Sequence, residues 1–330
     1  MKIFLTFKIP EKNFLITGAT GQIGSFLTEK LFEDKANVTV LVHNSNNLKE
    51  IKNLVDTKKI KLVECDLTNE NRIKTIGPLL HSIDFLVHLS SEFRFSEPNS
   101  ISSAHHTIQL DVKGTILLLQ QLKQLRGILF TSSVAVYGNP SYVPADELCP
   151  IRPISFYGSG KFATEKYLKL YSICKDIPLT ILRLSTVYGQ RNRSDQIIPI
   201  FTRKALRGEP IKLYGNSSRD FIHISDAIAA IKSAIKLNQN NLFNIGSGMK
   251  FSNQFILKKI MEITKSQSEI LCLEKSGDYD FVCDISKAVT KLGFNPKIEI
   301  ERGLLDEILW HERQIEKLTN DTSQERKNSE

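Results

Sequence analysis

The sequence predicts an α/β fold built on a doubly wound parallel sheet, and three observations carry that prediction. Short apolar runs alternate with longer amphipathic segments through the first half of the chain. The runs are almost continuously apolar, as in strands buried on both faces, instead of alternating apolar and polar. A glycine-rich stretch lies between the first run and the first amphipathic segment, where a strand must turn sharply into a helix.

The strand-like runs fall at 13–17, 38–42, 60–64, 84–89, 127–132 and 179–184. Helical periodicity covers 22–34, 101–125 and 155–175. Beyond Tyr188 the rhythm loosens. An Arg-rich polar loop spans 189–195, and Pro199, Gly208, Pro210, Gly215, Gly246 and Gly248 then punctuate shorter elements. The predicted organisation is a first domain over 1–188 and a smaller second one mainly over 189–317. Parts such as 221–246 return to the first domain, and 318–330 forms a disordered polar tail.

Composition narrows the function class. The chain has 330 residues, 41% hydrophobic and 24% charged, which is ordinary for a globular enzyme. No apolar run reaches the roughly 18 residues that span a bilayer. Lys8 and Pro10 break the first apolar stretch, so no signal peptide is expected and the location predicted is cytoplasmic. The net charge of +8 comes from scattered lysines without an aromatic-rich basic motif, which points to an anionic small ligand and away from nucleic acid. The five cysteines, Cys65, Cys149, Cys174, Cys272 and Cys283, have neither disulfide-framework nor zinc spacing. His105 and His106 have no acidic or cysteine partner at metal spacing, so no metal is expected. Trp310 is read as packing in the last helix.

The first turn carries the clearest chemistry. The run Asn13-Phe14-Leu15-Ile16-Thr17 leads into Gly18-Ala19-Thr20-Gly21-Gln22-Ile23-Gly24 and then into an amphipathic segment. Gly18 permits backbone angles closed to other residues, Gly21 lets the backbone approach a pyrophosphate, and Gly24 lets helix pack on strand. Phosphates then sit at the positive helix N-terminus. With the right strand before it and helix after it, this is a Rossmann-type dinucleotide turn. The fold class is therefore a Rossmann-type doubly wound sheet with a smaller C-terminal α/β substrate domain.

The second strand ends Val42-His43-Asn44, without the carboxylate that usually holds the ribose 2′-hydroxyl of NAD. His43, Asn44 and Ser45 offer hydrogen bonds to a 2′-phosphate but form no arginine clamp. The cofactor expected is NAD or NADP with weak discrimination. After the third strand, Asp66 is placed either at an adenine edge or as the N-cap of the next helix.

Tyr157 and Lys161 lie one helical turn apart on one face. An ammonium near a phenol favours the phenolate, making the pair a usable acid or base. Tyr171 and Lys175 repeat the spacing and are read as a solvated helix end. The run Thr131-Ser132-Ser133 ends the fifth strand, on the carboxyl edge where open α/β sheets bind ligands. Ser133 can hold the substrate oxygen that Tyr157 protonates, or it can be a turn serine.

In this order, glycine turn, serine run and Tyr-x-x-x-Lys resemble the extended short-chain dehydrogenase/reductases, in particular the NAD-dependent epimerase/dehydratase group. Further runs share the likeness: His88-Leu89-Ser90-Ser91, Asp111-Val112-Lys113-Gly114-Thr115, Leu182-Arg183, Arg219-Asp220-Phe221, Phe243-Asn244-Ile245-Gly246 and Asp284-Ile285-Ser286-Lys287. The resemblance implies that Tyr157, Lys161 and Ser133 are catalytic. It implies cofactor contacts from Gly18, Thr20, Gly21, Gln22, Ile23, Gly24, His43, Asp66, Leu67, Leu89, Ser90 and Lys161. Ser133, Thr186 and Arg219 would meet the substrate, with Arg219 at its nucleotide phosphates.

Several positions depart from the family pattern. Val42 stands for the usual Asp, Asp111 for Asn and Thr186 for a substrate-contacting Asn. The 215–219 loop is short, and Lys275 stands where an arginine usually precedes Gly277-Asp278. The dehydratase branch carries Thr-Asp-Glu where this chain has Ser133-Val134-Ala135, which counts against elimination of water. The activity implied is a sugar-nucleotide epimerase working through a transient keto-sugar. An NADPH-dependent reductase of a keto-sugar or other carbonyl compound is the alternative, and a non-catalytic dinucleotide-binding protein a third. Related proteins pair their long helices, so a homodimer is expected, with the apolar run Ile116-Leu117-Leu118-Leu119-Gln120-Gln121-Leu122 at the interface.

Overall fold

The computed structural model describes residues 8–92, 99–274 and 279–327. In the first half, strands and helices alternate. They are β1 (Asn13–Thr17), α1 (Gln22–Glu33), β2 (Asn37–Val42), α2 (Lys52–Asp56), β3 (Lys61–Glu64), α3 (Glu70–Leu80), β4 (Phe85–His88), α4 (Ile101–Thr107), α5 (Thr115–Gln121) and β5 (Gly127–Ser133). There follow α6 (Phe156–Lys175), β6 (Leu179–Leu184), β7 (Thr186–Tyr188), α7 (Ile197–Arg207), β8 (Ile211–Tyr214), β9 (Ser218–His223) and α8 (Ile224–Leu237). The chain ends with β10 (Asn241–Ile245), β11 (Lys250–Ser252), α9 (Asn253–Thr264), β12 (Ile270–Leu273), α10 (Ser286–Leu292) and α11 (Ile300–Lys327).

The main sheet has seven parallel strands in the order β10-β6-β5-β4-β1-β2-β3. The strand order reverses between β1 and β4, and a crevice opens at their carboxyl ends. Alternate residues of β1 feed two cores. Phe14 and Ile16 pack with Leu27, Val40 and Ile231 on the α1 and α8 side. Leu15 packs with Leu86, Leu118 and Leu168 on the α3, α5 and α6 side. Both faces of the strand are therefore apolar, which explains the unbroken hydrophobic runs. A separate core joins α7, α9 and α11 around Phe201, Ile211, Phe221, Ile256 and Leu304. The small sheets β11-β9-β7 and β12-β8 belong to this C-terminal half.

Three expectations meet a different outcome. The single helix predicted over 101–125 is α4, a wide π-type turn over Ile108–Gly114, and α5. The Asp111 carbonyl there accepts hydroxyl bonds from Thr115 and Thr164, and a Cβ on Gly114 would strike the Leu67 carbonyl. Such a turn widens the helix where side chains must be re-aimed. The backbone of 318–327 continues α11, where a disordered tail is expected; Gln324, Glu325, Arg326 and Lys327 are good helix formers. Finally, Leu118, Leu119 and Leu122 of the run expected at an interface are buried within the chain, and only Ile116 and Leu117 are partly exposed. On these helices the exposed large apolar side chains include Ile101 and Ile108, and on α6 Tyr167, Leu170 and Ile173.

In the second half, β10 joins β6 at the edge of the main sheet, and α8 lies against α1. Among the described residues no helix is long and apolar enough to cross a membrane, and no cluster of metal-ligating side chains exists. One buried ion pair ties α6 to β6. Arg183 donates to both oxygens of Glu165, at 2.9 and 2.7 Å, and to Tyr137 Oη at 2.9 Å.

Candidate active site

The glycine turn is built by close approach. Gly18 has φ +68°. A Cβ there would press on the Ser90 amide, and one on Gly24 would overlap the backbone of Gly18 and Ala19. Gly21 is the N-cap of α1 and has no side chain to cap the first-turn N–H groups. The turn thus presents backbone donors and a positive helix end to an anion, in a cradle that side chains at these glycines would fill. The turn therefore fits a dinucleotide pyrophosphate.

A buried relay supports the floor. Leu89 N–H and Ser90 N–H both donate to Thr17 Oγ1, which lies 2.8 Å from His88 Nδ1. On the other side His88 Nε2 is 2.8 Å from Thr115 Oγ1, whose proton goes to the Asp111 carbonyl. Each threonine hydroxyl has a single proton, so His88 donates through Nε2 and accepts through Nδ1. Burial holds its pKa down at about 3, which keeps this ring neutral. Predicted contacts Leu89 and Ser90 are therefore fixed from both β1 and the π-type turn.

At the ribose end, β2 carries no carboxylate, but Glu64 at the end of β3 and Asp66 just after it stand beside it. Glu64 accepts the Ser45 N–H at 2.9 Å, and the Ser45 hydrogen bonds hold its carboxyl below the usual range. Asp66 Oδ1 lies 3.6 Å from His43 Nδ1 and accepts the N–H and hydroxyl of Thr68. Asn69, not Asp66, caps α3, which removes the N-cap reading of Asp66. Leu67 is buried next to Gly114.

The predicted catalytic groups meet at the carboxyl end of β5. Ser155 caps α6 by accepting the Gly158 N–H, which places Tyr157 in the first turn and Lys161 one turn on. Ser133 hydrogen-bonds Tyr157 and also accepts the Ala135 N–H at 3.2 Å, so it serves the turn as well. Lys161 is buried, donates to the Thr131 carbonyl at 2.9 Å, and stands 5.8 Å from the Tyr157 ring centroid. Burial first, then the Asp111 carboxylate, push the Tyr157 phenol up to about 12, while Ser133 and Arg193 pull it down. The sequence expectation credited Lys161 with that pull; the groups that exert it here are Ser133 and Arg193. The second copy of the spacing, Tyr171 and Lys175, packs its ring into the core and leaves its lysine exposed.

In the sequence Asp111 stands out only as a departure from the family pattern. It is 3% exposed, accepts the Ser91 hydroxyl through Oδ2 at 3.1 Å, and leaves Oδ1 buried without a hydrogen bond. Burial raises its pKa, against the pull of Lys161.

A cleft of about 600 Å³ connects these parts. One wall holds the glycine turn, Ser133, Tyr157 and Lys161, and the other holds Thr186, Asn192, Arg193, Gln196, Arg219 and Tyr279. The Arg219 guanidinium stacks 4.2 Å over the Tyr279 ring and donates to the Ser218 and Tyr279 carbonyls. Asp220 anchors this strand from behind, accepting the Ser247, Gly248 and Cys283 N–H groups. Gln22 faces the cofactor turn but also donates to the Gly189 and Gln190 carbonyls, both at 3.0 Å. Sequence reasoning missed Asn192, Arg193, Gln196 and Tyr279. The Arg-rich loop was visible as a loop, but nothing in its composition says that it faces Tyr157. Lys275, Gly277 and Asp278 lie outside the described residues. His106, expected on the surface, is only partly exposed and pairs with Glu92 at 2.7 Å.

Comparison with known proteins agrees with this geometry. Residues 14–246 match the model of the NAD dependent epimerase/dehydratase family. UDP-glucuronic acid decarboxylase 3 of Arabidopsis thaliana is 29% identical over 311 residues, covering 89% of this chain and 87% of its own. The UDP-glucose 4-epimerase of Thermotoga maritima, solved with UDP-glucose, superposes with a TM-score of 0.84 at 28% identity, over 92% of this chain and 99% of that one. A UDP-glucuronic acid 4-epimerase variant of Bacillus cereus, solved with NAD and a fluorinated UDP-sugar, gives 0.82 at 25% identity over 92% and 99%. With a family match over more than half its length, the chain is a member of the NAD-dependent epimerase/dehydratase family of extended short-chain dehydrogenase/reductases.

Proposed function

We propose that this protein is a sugar-nucleotide epimerase that binds NAD and uses Tyr157 as its acid/base. The observation that carries the reading is the single cleft joining the glycine turn to Ser133, Tyr157 and Lys161, with Thr186, Arg193 and Arg219 opposite. Gly18, Thr20, Gly21, Ile23 and Gly24 would hold the pyrophosphate, and His43 and Asp66 would face the adenosine. Lys161 would reach the nicotinamide ribose, and Arg219 would meet the substrate phosphates, where a fixed guanidinium suits an oxyanion.

Bound NAD supplies a reversible hydride acceptor, and the hard redox step belongs to it. This chain's residues handle the proton. Tyr157, as phenolate, removes the proton from a sugar hydroxyl while Ser133 donates a hydrogen bond to the same oxygen. Loss of that proton together with the hydride on the same carbon leaves the sugar as a ketone. After the ring presents its other face, return of the hydride to that carbon and of the proton from Tyr157 reforms the carbinol with inverted configuration. No carboxylate stands beside Ser133 at Val134-Ala135 to drive elimination, which favours epimerisation over dehydration.

The test is incubation of the purified protein with a panel of nucleotide sugars, with and without NADPH. The expected result is an epimer formed without net consumption of cofactor. Product that forms only with stoichiometric loss of NADPH would replace this reading with the reductase.

A further inference from the structure

The loop 189–196 forms the sugar-side wall, and its position depends on a buried acid outside the cleft. We propose that Glu307, on α11, is a positioning residue that fixes this loop, and through it sets Arg193 against Tyr157. The proposal rests on the assignment of Tyr157 above.

Glu307 is fully buried. Its Oε2 accepts the Gly189 N–H at 2.7 Å and its Oε1 accepts the Asn192 side-chain amide at 3.4 Å. His311, one turn along α11, brings Nε2 to 3.8 Å from Oε1. Asn192 passes the constraint on, because its Oδ1 accepts the Arg193 N–H at 2.8 Å. Arg193 then reaches the cleft, where its charge favours the Tyr157 phenolate.

The opposite edge of the loop is tied to the cofactor side. The Gly189 carbonyl accepts from Gln22, so this residue is held at both of its backbone polar groups, by α11 and by the glycine turn. Gly189 has φ +116°, and a Cβ there would strike His223 and Ile224, so the backbone has little freedom to drift. Arg191 adds a third tether, stacking 4.1 Å over Phe26 and pairing with Glu29 at 2.9 Å, both on α1. Of these anchors Glu307 is the one that reaches Asn192, whose side chain bonds the Arg193 N–H and so bears on where Arg193 leaves the backbone. A buried carboxylate is costly to desolvate, and the bonds that offset the cost here are the ones to this loop and to His311.

Glu307→Gln keeps the volume but offers one carbonyl oxygen for two donors, so either Gly189 or Asn192 loses its partner. Three measurements apply to Glu307→Gln, Arg193→Gln and the double variant. Trypsin cleavage after Arg191 or Arg193 should accelerate about fivefold or more in Glu307→Gln, since proteolysis follows loop opening. The kcat/KM for UDP-glucose epimerisation should fall about tenfold, with no further loss in the double variant beyond Arg193→Gln. NAD affinity, read by fluorescence titration, should stay within about twofold, because the Gln22 bond remains. An unchanged cleavage rate, or losses that add, would overturn the proposal. Asn192→Ala breaks the same link from the loop side and serves if Glu307→Gln fails to fold. If Arg193→Gln retains full rate while Tyr157→Phe is inactive, the positioning role is refuted and the proposed function stands. If Tyr157→Phe is active, the function reading fails, and the cleavage rates still decide whether Glu307 holds the loop.

Discussion

Asp111→Asn is the most informative single change. The side chain is isosteric, loses its charge, and stands where the family usually carries Asn. In the folded chain the Tyr157 phenol is pushed from 10.0 up to about 12, by burial first and by Asp111 second. A rise of that size disfavours the phenolate by about 3 kcal/mol in total. Removing the carboxylate charge leaves burial in place but relieves the repulsion. The rise of kcat with pH, which the proposed acid/base role of Tyr157 ties to phenolate formation, should therefore move toward lower pH, by about one unit. The difference has a lower bound in pH. Burial raises the Asp111 carboxyl itself, and below that pKa it is neutral in the wild type too, so the two proteins should converge in acid. Stability obeys the same sign. A carboxyl with a raised folded pKa favours the fold below its unfolded pKa, and that contribution is lost as pH rises through the folded value. Asp111→Asn should therefore gain thermal stability over wild type near about pH 8 and gain little near about pH 4. The assays are the pH profile of kcat with whichever nucleotide sugar of the panel the protein turns over, and thermal denaturation at both pH values. A profile that stays fixed or moves to higher pH would refute the electrostatic coupling.

Tyr157→Phe should lower turnover about 10²–10⁴-fold while NAD affinity stays close to wild type, with Tyr171→Phe as an active control; half-maximal activity would remove Tyr157 from the mechanism. Gly21→Val should weaken NAD binding by about a hundredfold or more in a protein whose circular dichroism is unchanged, because a branched side chain enters the pyrophosphate cradle; normal fluorescence titration would refute the turn assignment. Glu64→Gln should improve NADP relative to NAD by up to about tenfold, since the charge beside Ser45 repels a 2′-phosphate, and paired isothermal titrations would show it. Leu170→Glu should convert a homodimer to a 37.4 kDa monomer in sedimentation, since Leu170 is 60% exposed on the apolar face of α6; a wild-type monomer at micromolar concentration would exclude the interface.

The sheet and the cofactor turn were legible because their signals are local. Continuous apolar runs and the spacing of Gly18, Gly21 and Gly24 are set by neighbours along the chain, and the first-half strand runs lie within a residue or two of the observed strands. The 101–125 helix was less legible, since a π-type turn depends on the Thr164 hydroxyl from another helix and on the Leu67 carbonyl behind Gly114. The ribose end shows the same limit. Reading along β2 found no carboxylate, while Glu64 reaches Ser45 from the neighbouring strand.

The sequence by itself determined the doubly wound fold, the glycine cradle and the identity of Ser133, Tyr157 and Lys161 as candidates. The fold and the cradle rest on periodicity and short spacing, which backbone geometry converts directly into structure, while the three candidates rest on the order of motifs that resembles a known family. Only the tertiary structure decided the electrical setting of Tyr157 and the makeup of the opposite wall. Asp111, Arg193 and Arg219 come from distant parts of the chain, and Glu307 reaches the Gly189 amide from 118 positions away. Electrostatic and hydrogen-bond energies depend on distance and burial in space, and those quantities have no counterpart in the order of residues along a chain.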